Sequence, residues 1–240
     1  MKKNIFKRYI GKSILLLLCI TVIIILLRSP LLAVGHISVS GNETLNKDEI
    51  CSIAGIKDPV NIFAISTDNL QNRLENDLRI EKATVRRNFP NTALSIEIRE
   101  RHPVATLQCS YGYVDIAQND IIIHAYKNLH TVKIPLLTGT VLPDVYIGDI
   151  VTDETITKTV HYLSGLDNDT LAQIAELNIA DPQNIIAYTS GGVKIKLGDL
   201  SLLEQEIKET TVFLHDLNGM NRPVDYVDFS YGAPVLKFKP

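Results

Sequence analysis

Residues 80–103 read IEKATVRRNFPNTALSIEIRERHP, and the period of the apolar residues in this stretch decides the fold. Ala83, Val85 and Arg87 fall at every second place, a turn follows around Asn88-Phe89-Pro90-Asn91, and Leu94, Ile96 and Ile98 then alternate with Ser95, Glu97 and Arg99. Two runs of period two, separated by turn residues, predict a β-hairpin with one buried face. Such a face must be covered by another layer.

The residues upstream supply the cover. Ile37-Ser38-Val39 alternates and breaks at Gly41-Asn42, which predicts a short strand and a turn. Asn46 with Glu49 three places on has the form of a capping box, and Ile50, Ile53 and Ala54 recur at helical spacing as far as Gly55. Cys51 falls on the expected buried side of that helix. After Asp58-Pro59, Ser66 is the expected N-cap of a second helix carrying Leu70, Leu74 and Leu78. Strand, helix, helix, strand, strand is the order of a small sheet with both helices packed on one side.

Farther upstream, Lys2, Lys3, Lys7, Arg8 and Lys12 form a basic tail with no acidic residue, and Ile14 to Leu27 is apolar except for Thr21. Positive charge of this kind stays in the cytoplasm. As a helix the apolar run rises about 21 Å, short of the roughly 30 Å hydrocarbon core. An anchor here draws on its flanks, back to Tyr9 and Ile10 or forward past Arg28 through Leu31, Leu32 and Val34. The rival is a cleaved secretory signal, which needs small residues at its cleavage site, where Leu31-Leu32-Ala33 places leucine. All 27 acidic residues lie after residue 35 with only 18 of the 24 basic ones, so the body carries a net charge near −9. Such a surface repels nucleic acid. Cys19 lies in the apolar run, which leaves Cys51 and Cys109 outside it and no disulfide framework.

Downstream of the hairpin the chain is richer in strands. Thr106 to Cys109, Tyr111 to Ile116 and Ile121 to Ala125 are short runs divided by turns such as Gln118-Asn119-Asp120, and Ile134-Pro-Leu-Leu-Thr-Gly139 starts a new section. Thr152-Asp153 is expected to cap a helix with Ile156, Val160 and Leu163 on one face, ending at Gly165, and a second helical stretch is expected near Asp169 to Glu176. Asn184 to Thr189 and Val193 to Leu197 form a hairpin through Ser190-Gly191-Gly192. Ser201 to Leu217 carries Leu203, Ile207, Thr210, Leu214 and Leu217 along one helical face, and Val224 to Phe238 returns to strand.

Five blocks of the first half resemble a POTRA domain, and in particular that of the FtsQ/DivIB cell-division family. They are Ile37-Ser-Val-Ser-Gly-Asn42, Ile53-Ala-Gly-Ile56, Asn61-Ile-Phe63, the stretch Ile80 to Pro90, and Ile98-Arg-Glu-Arg-His-Pro-Val-Ala105. Glu100-Arg101-His102-Pro103 is similar to that family's Glu-Arg-x-Pro element at the end of the third strand. Gly41, Asn42, Pro90, Glu100, Arg101 and Pro103 are the motif positions, with structural or partner-binding roles. Each also has a plain structural reading, in which Gly41 permits a turn, Pro90 fixes the hairpin and Pro103 ends a strand. In the second half, Tyr113 to Asp120, Ile134 to Gly139, Asn184 to Val193, Leu197-Gly-Asp199 and Asp225 to Tyr231 follow the same family's order, most weakly between residues 140 and 180. Glu206 and Glu209 stand where much of the family has lysine, and Ser230, Gly232 and Pro234 make a shortened closing turn.

The expected fold is α+β, with an N-terminal transmembrane helix, a β-α-α-β-β POTRA domain and a second α/β domain whose sheet is mostly antiparallel. The expected division is a cytoplasmic tail over 1–12, an anchor over 13–34, the POTRA domain over 35–104 and a second extracytoplasmic domain over 105–240. His36, His102, His124, His130, His161 and His215 offer no zinc spacing, and no Walker, dinucleotide or Gly-x-Ser-x-Gly pattern occurs. No catalytic residue, metal or cofactor is expected. Asp225 and Asp228 alternate with apolar strand positions and read as a solvated face.

Binding through surfaces remains, and an exposed strand edge is a template for a partner's strand. Asp228 to Phe238 is the candidate, with Phe229, Ser230, Tyr231, Gly232, Val235 and Leu236 as partner-binding residues and Tyr231 foremost. Pro234 places this segment at an edge. The family resemblance implies a non-enzymatic scaffold at the division septum. Its implied partners are FtsB/DivIC-like and FtsL-like bitopic proteins at this segment, with other divisome components at the POTRA domain. The alternative is a POTRA-bearing chaperone or translocation module for exported chains, and a third reading, a secreted enzyme, requires a pocket with perturbed groups.

Overall fold

A computed structural model describes residues 14, 16–22, 25, 34–57, 61–63, 65–89, 92–129, 134–217, 219–231 and 233–240. They form two compact units, one up to Arg101 and one from His102. The basic tail and most of the expected anchor lie outside the described residues. Ile14, Leu16 to Val22 and Ile25 are helical, and among the described residues no helix is long and apolar enough to cross a membrane.

The first unit runs β1 (His36–Ser40), α1 (Lys47–Ala54), α2 (Thr67–Glu75), β2 (Ile80–Asn88) and β3 (Ala93–Glu100). Both helices begin where their caps predict. Asn46 accepts from the Glu49 N–H while Glu49 reaches back to the Asn46 N–H, and Ser66 accepts from the Asn69 N–H. Gly55 ends α1 in the left-handed conformation. The sheet order is β1-β3-β2, with β1 parallel and β2 antiparallel to β3. Ile37, Ala83, Val85, Leu94, Ile96 and Ile98 form one core with Ile50, Ala54, Leu70 and Leu74 of the two helices. Cys51, expected on the buried side, is only half-buried at the margin of this core. The opposite face is open and polar, lined by Lys82, Thr84, Glu97 and Arg99.

The second unit contains β4 (Pro103–Cys109), β5 (Gly112–Ala117), β6 (Ile122–Tyr126), β7 (Leu136–Leu142), α3 (Glu154–Ser164), α4 (Asn168–Leu171), β8 (Ile174–Asn178), β9 (Ile185–Thr189), β10 (Lys194–Gly198), α5 (Leu203–Leu217), β11 (Val224–Asp228) and β12 (Val235–Phe238). They build a nine-stranded sheet in the order β12-β11-β10-β9-β8-β7-β4-β5-β6. The sheet is mixed: five neighbouring pairs are antiparallel, while β4–β7, β7–β8 and β10–β11 are parallel. Two of the parallel joins follow from helical crossovers, α3 and α4 between β7 and β8, and α5 between β10 and β11. Helices α3 and α5 share the core with the sheet and are tied by Tyr162 Oη donating to Thr210 Oγ1 at 2.9 Å.

Three expectations change. The helical stretch near Asp169 to Glu176 stops at Leu171, because Ile174 and Leu177 are buried in β8, on either side of a register shift, and β8 pairs with β7 and β9. Pro103 opens a strand instead of ending one: β3 closes at Glu100, and Pro103 pairs with Ala117 at the start of β4, a position where proline is tolerated. Asp228 is buried and ion-paired instead of solvated.

Candidate partner-binding site

The β11–β12 hairpin closes one end of the large sheet, so among the described residues β12 has a neighbouring strand on one side only. Its four residues are all exposed, including Val235 at 50%, Leu236 at 36% and Phe238 at 37%. The backbone of an antiparallel strand points its polar groups alternately to either side. The Lys239 N–H donates inward to the Pro223 carbonyl at 2.8 Å, so Leu236 and Phe238 turn their N–H groups to the open side.

Among the residues expected to meet a partner, the structure separates two kinds. Phe229 is buried, packs edge-on against Phe213 at 6.1 Å between centroids, and donates its N–H to the Lys196 carbonyl at 3.0 Å. Expected among the contact residues, it is 1% exposed in the free chain and holds the segment down. Tyr231, two residues on, is 77% exposed. Ser230 lies between them, with its N–H bound to Asp228 Oδ1 at 3.1 Å. Gly198 has φ +78, a left-handed backbone that favours glycine, and a Cβ there would stand 3.0 Å from Ser230 Oγ. Gly232 lies outside the described residues.

Asp228 anchors the start of the turn. Burial pushes its carboxyl up, but hydrogen bonds from Lys196 and Ser230 outweigh this and hold it below the usual carboxylate range. Lys196 Nζ stands 3.0 Å from Asp228 Oδ2 and 4.6 Å above the Tyr226 ring. Lys237 reaches across the hairpin to Asp225 at 3.3 Å. Beside this framework α5 and β12 leave a groove of about 410 Å³ with an apolar floor of Val212, Phe213, Met220, Pro234 and Leu236, bordered by Lys208, Glu209 and Asp216. Val212 is 53% exposed, on a helix whose other apolar side chains are buried or half-buried. Sequence reading missed this groove, although an apolar residue on the polar side of the α5 pattern was its available signal.

The motif positions of the first unit converge elsewhere, at the far end of β3. Glu100 is buried, and its carboxylate accepts from the backbone N–H groups of Glu43, Thr44 and Leu45 and from the Thr44 hydroxyl. Burial works to raise this carboxyl, and those four donors bring it down to about 2. Arg101 donates to the Leu78 carbonyl at 2.6 Å, and Asn42 to the Leu45 carbonyl at 2.8 Å. At Gly41, with φ +76, a Cβ would fall 2.1 Å from the Ile98 carbonyl oxygen. Glu100 and Gly41 join the β1–α1 loop to β3, and Arg101 ties the end of β3 to the connection between α2 and β2. Pro90 lies outside the described residues. Among the described residues no three His, Cys, Asp or Glu side chains are grouped to hold a metal ion.

Comparison with known proteins adds sequence kinship to this geometry. Residues 32–101 match the profile described as POTRA domain, FtsQ-type. The chain is 24% identical over 219 residues to the cell division protein DivIB of Staphylococcus aureus, covering 88% of this chain and 47% of that protein. It is 25% identical over 215 residues to the cell division protein FtsQ of a Geobacter species, covering 87% and 77% respectively. A segment of 111 residues, 46% of this chain, is 31% identical to DivIB of Geobacillus kaustophilus and covers 41% of it. The chain thus spans about half the length of its staphylococcal relatives. Among solved structures, the major extracytoplasmic domain of DivIB from Geobacillus stearothermophilus aligns with a TM-score of 0.37 and 13% identity, over 50% of this chain and 96% of that domain. That superposition is too loose to transfer positions.

Proposed function

The chain belongs to the FtsQ/DivIB family of cell-division proteins, with an FtsQ-type POTRA domain in its first unit, and from this we propose that it works as a non-enzymatic scaffold of the division machinery. In this reading the apolar run within residues 13–34 anchors it in the cytoplasmic membrane at the septum, with residues 1–12 inside and the body from residue 35 outside. The POTRA domain meets other divisome components. The second domain receives FtsB/DivIC-like and FtsL-like bitopic proteins, links early to late components, and so helps to control septal peptidoglycan synthesis. The relatives above are named as division proteins, which favours this over a chaperone or translocation role.

The observation that carries the partner site is the open edge of β12, with its outward N–H groups, exposed apolar side chains and an apolar groove beside them. A partner strand laid along that edge pairs its backbone with Leu236 and Phe238 and rests side chains near Tyr231 and in the groove. Leu236→Pro removes one outward donor and leaves the pairing to β11 in place. Binding of a purified FtsB/DivIC-like ectodomain, followed by titration calorimetry, is expected to weaken at least tenfold in Leu236→Pro while the thermal melt stays cooperative. Val235→Pro, on an inward position, serves as the contrast and is expected to loosen the hairpin itself. Unchanged affinity in a folded Leu236→Pro chain removes the site.

A further inference from the structure

The first unit has two distinct ends, set by its topology. At one end the chain arrives: the Gly35 N–H donates to the Thr92 carbonyl at 3.0 Å, His36 pairs with Ala93, and Val34 is half-buried against the core. At the other end Glu100 holds residues 43–45, and β3 closes before His102 begins the second unit. The eight residues of β3 separate the two ends by roughly 26 Å.

Two phenylalanines lie exposed at the arriving end. Phe89 follows directly on β2 at the hairpin tip, and Phe63 stands in the connection between α1 and α2. Their rings stack with centroids 5.5 Å apart and planes 28° from parallel, and they are 57% and 43% exposed. Packing of the unit does not require this arrangement, because the neighbouring Ile62 is fully buried while Phe63 is left outside. The Asn61 side chain accepts the Phe63 N–H at 2.9 Å and fixes the turn that presents it. Arg86, exposed on β2 opposite Ser95, and Arg87, bound to the Ile65 carbonyl, lie at the same end, as does the exposed Lys57 just past α1, against a single described acid, Asp68. An aromatic pair within a few residues of where an apolar run joins the fold, ringed by net positive charge, has the chemistry of a membrane interface contact.

We propose that the stacked Phe63 and Phe89 rings insert into the headgroup layer of the anionic membrane that carries the N-terminal anchor, and so fix the POTRA domain against the bilayer surface. This rests on the anchored reading above; the Gly35 N–H bond to the Thr92 carbonyl places the entry of the chain at the end of the unit that carries the rings. The chain contains no tryptophan, so a single one introduced at a chosen site reports alone. The full chain is reconstituted in phosphatidylethanolamine and phosphatidylglycerol vesicles as Phe89→Trp, Phe63→Trp or Lys47→Trp, the last at the start of α1 at the opposite end of the unit. Flotation after a high-salt and carbonate wash reads the anchor, and quenching by lipids brominated near the headgroup reads the contact. The expected result is flotation of all three variants with emission quenched several-fold at positions 89 and 63 and unchanged at position 47. Flotation with no more quenching at 89 and 63 than at 47 overturns the contact and leaves the anchor standing. Failure to float overturns both.

Discussion

At the residue scale, the buried carboxylates Glu100 and Glu206 respond to pH in opposite directions. Glu100 occupies a core position of the β3 alternation, after Leu94, Ile96 and Ile98, and its charge is balanced by four hydrogen-bond donors. Its carboxyl falls from an ordinary 4.5 to about 2 on folding, so its contribution is complete above 4.5 and is lost as pH falls through about 2. Glu100→Gln is expected to cost about 2 kcal/mol near neutral pH, and the deficit should shrink as the medium is acidified below 4.5. Thermal melts across that range check it. Glu206 is the reverse case. It is buried on α5 with Oε2 unpartnered, and burial, with Glu209 nearby, raises it to about 7. The protonated form suits the fold, so its stability is complete below 4.5 and declines as pH rises through about 7. Glu206→Gln is expected to match the parent near pH 4 and to exceed it by about 2 kcal/mol near pH 8, measured by urea unfolding. Glu206 therefore marks a site where this chain gives up stability at neutral pH.

At the scale of elements, local signals were legible and nonlocal ones were not. Capping residues placed α1, α2 and α3 because a cap is chemistry within four residues. The Ser190-Gly191-Gly192 turn was equally local, with Gly192 at φ +78 between β9 and β10. The α4 to β8 passage misled because Leu171, Ile174 and Leu177 are spaced like a helix face, and the partners that pull Ile174 and Leu177 into a strand come from β7 and β9. Asp228 misled for the same reason, since Lys196 comes from a strand thirty-two residues earlier. At the open edge the sequence pattern made the extended segment legible, whereas the burial of Phe229 depends on Phe213 of a distant helix. An edge strand with every residue exposed is held weakly. The amides of Lys237 and Lys239 are expected to exchange with solvent well before those of β9 and β10, and to gain protection when a partner strand covers the edge. Hydrogen exchange read by mass spectrometry, with and without partner, distinguishes this from a β12 that is already rigid in the free chain.

At the scale of the molecule, the pattern is of two independent cores in series, each with its own exposed surface. The first presents an open polar sheet face and an aromatic tip, and the second a strand edge beside an apolar groove. Surfaces of that kind fit assembly, and kinship to division proteins says which assembly to test. The acidic body and basic N-terminal tail fit a chain whose two ends face different compartments. The measurement that bears most directly on the scaffold role is the position of the full chain in dividing cells, with a fluorophore on its N-terminus so that the body is undisturbed. The account predicts a band at midcell that forms with the septum and fades when Leu236→Pro replaces the parent. Uniform membrane fluorescence from an intact fusion in normally dividing cells would contradict it.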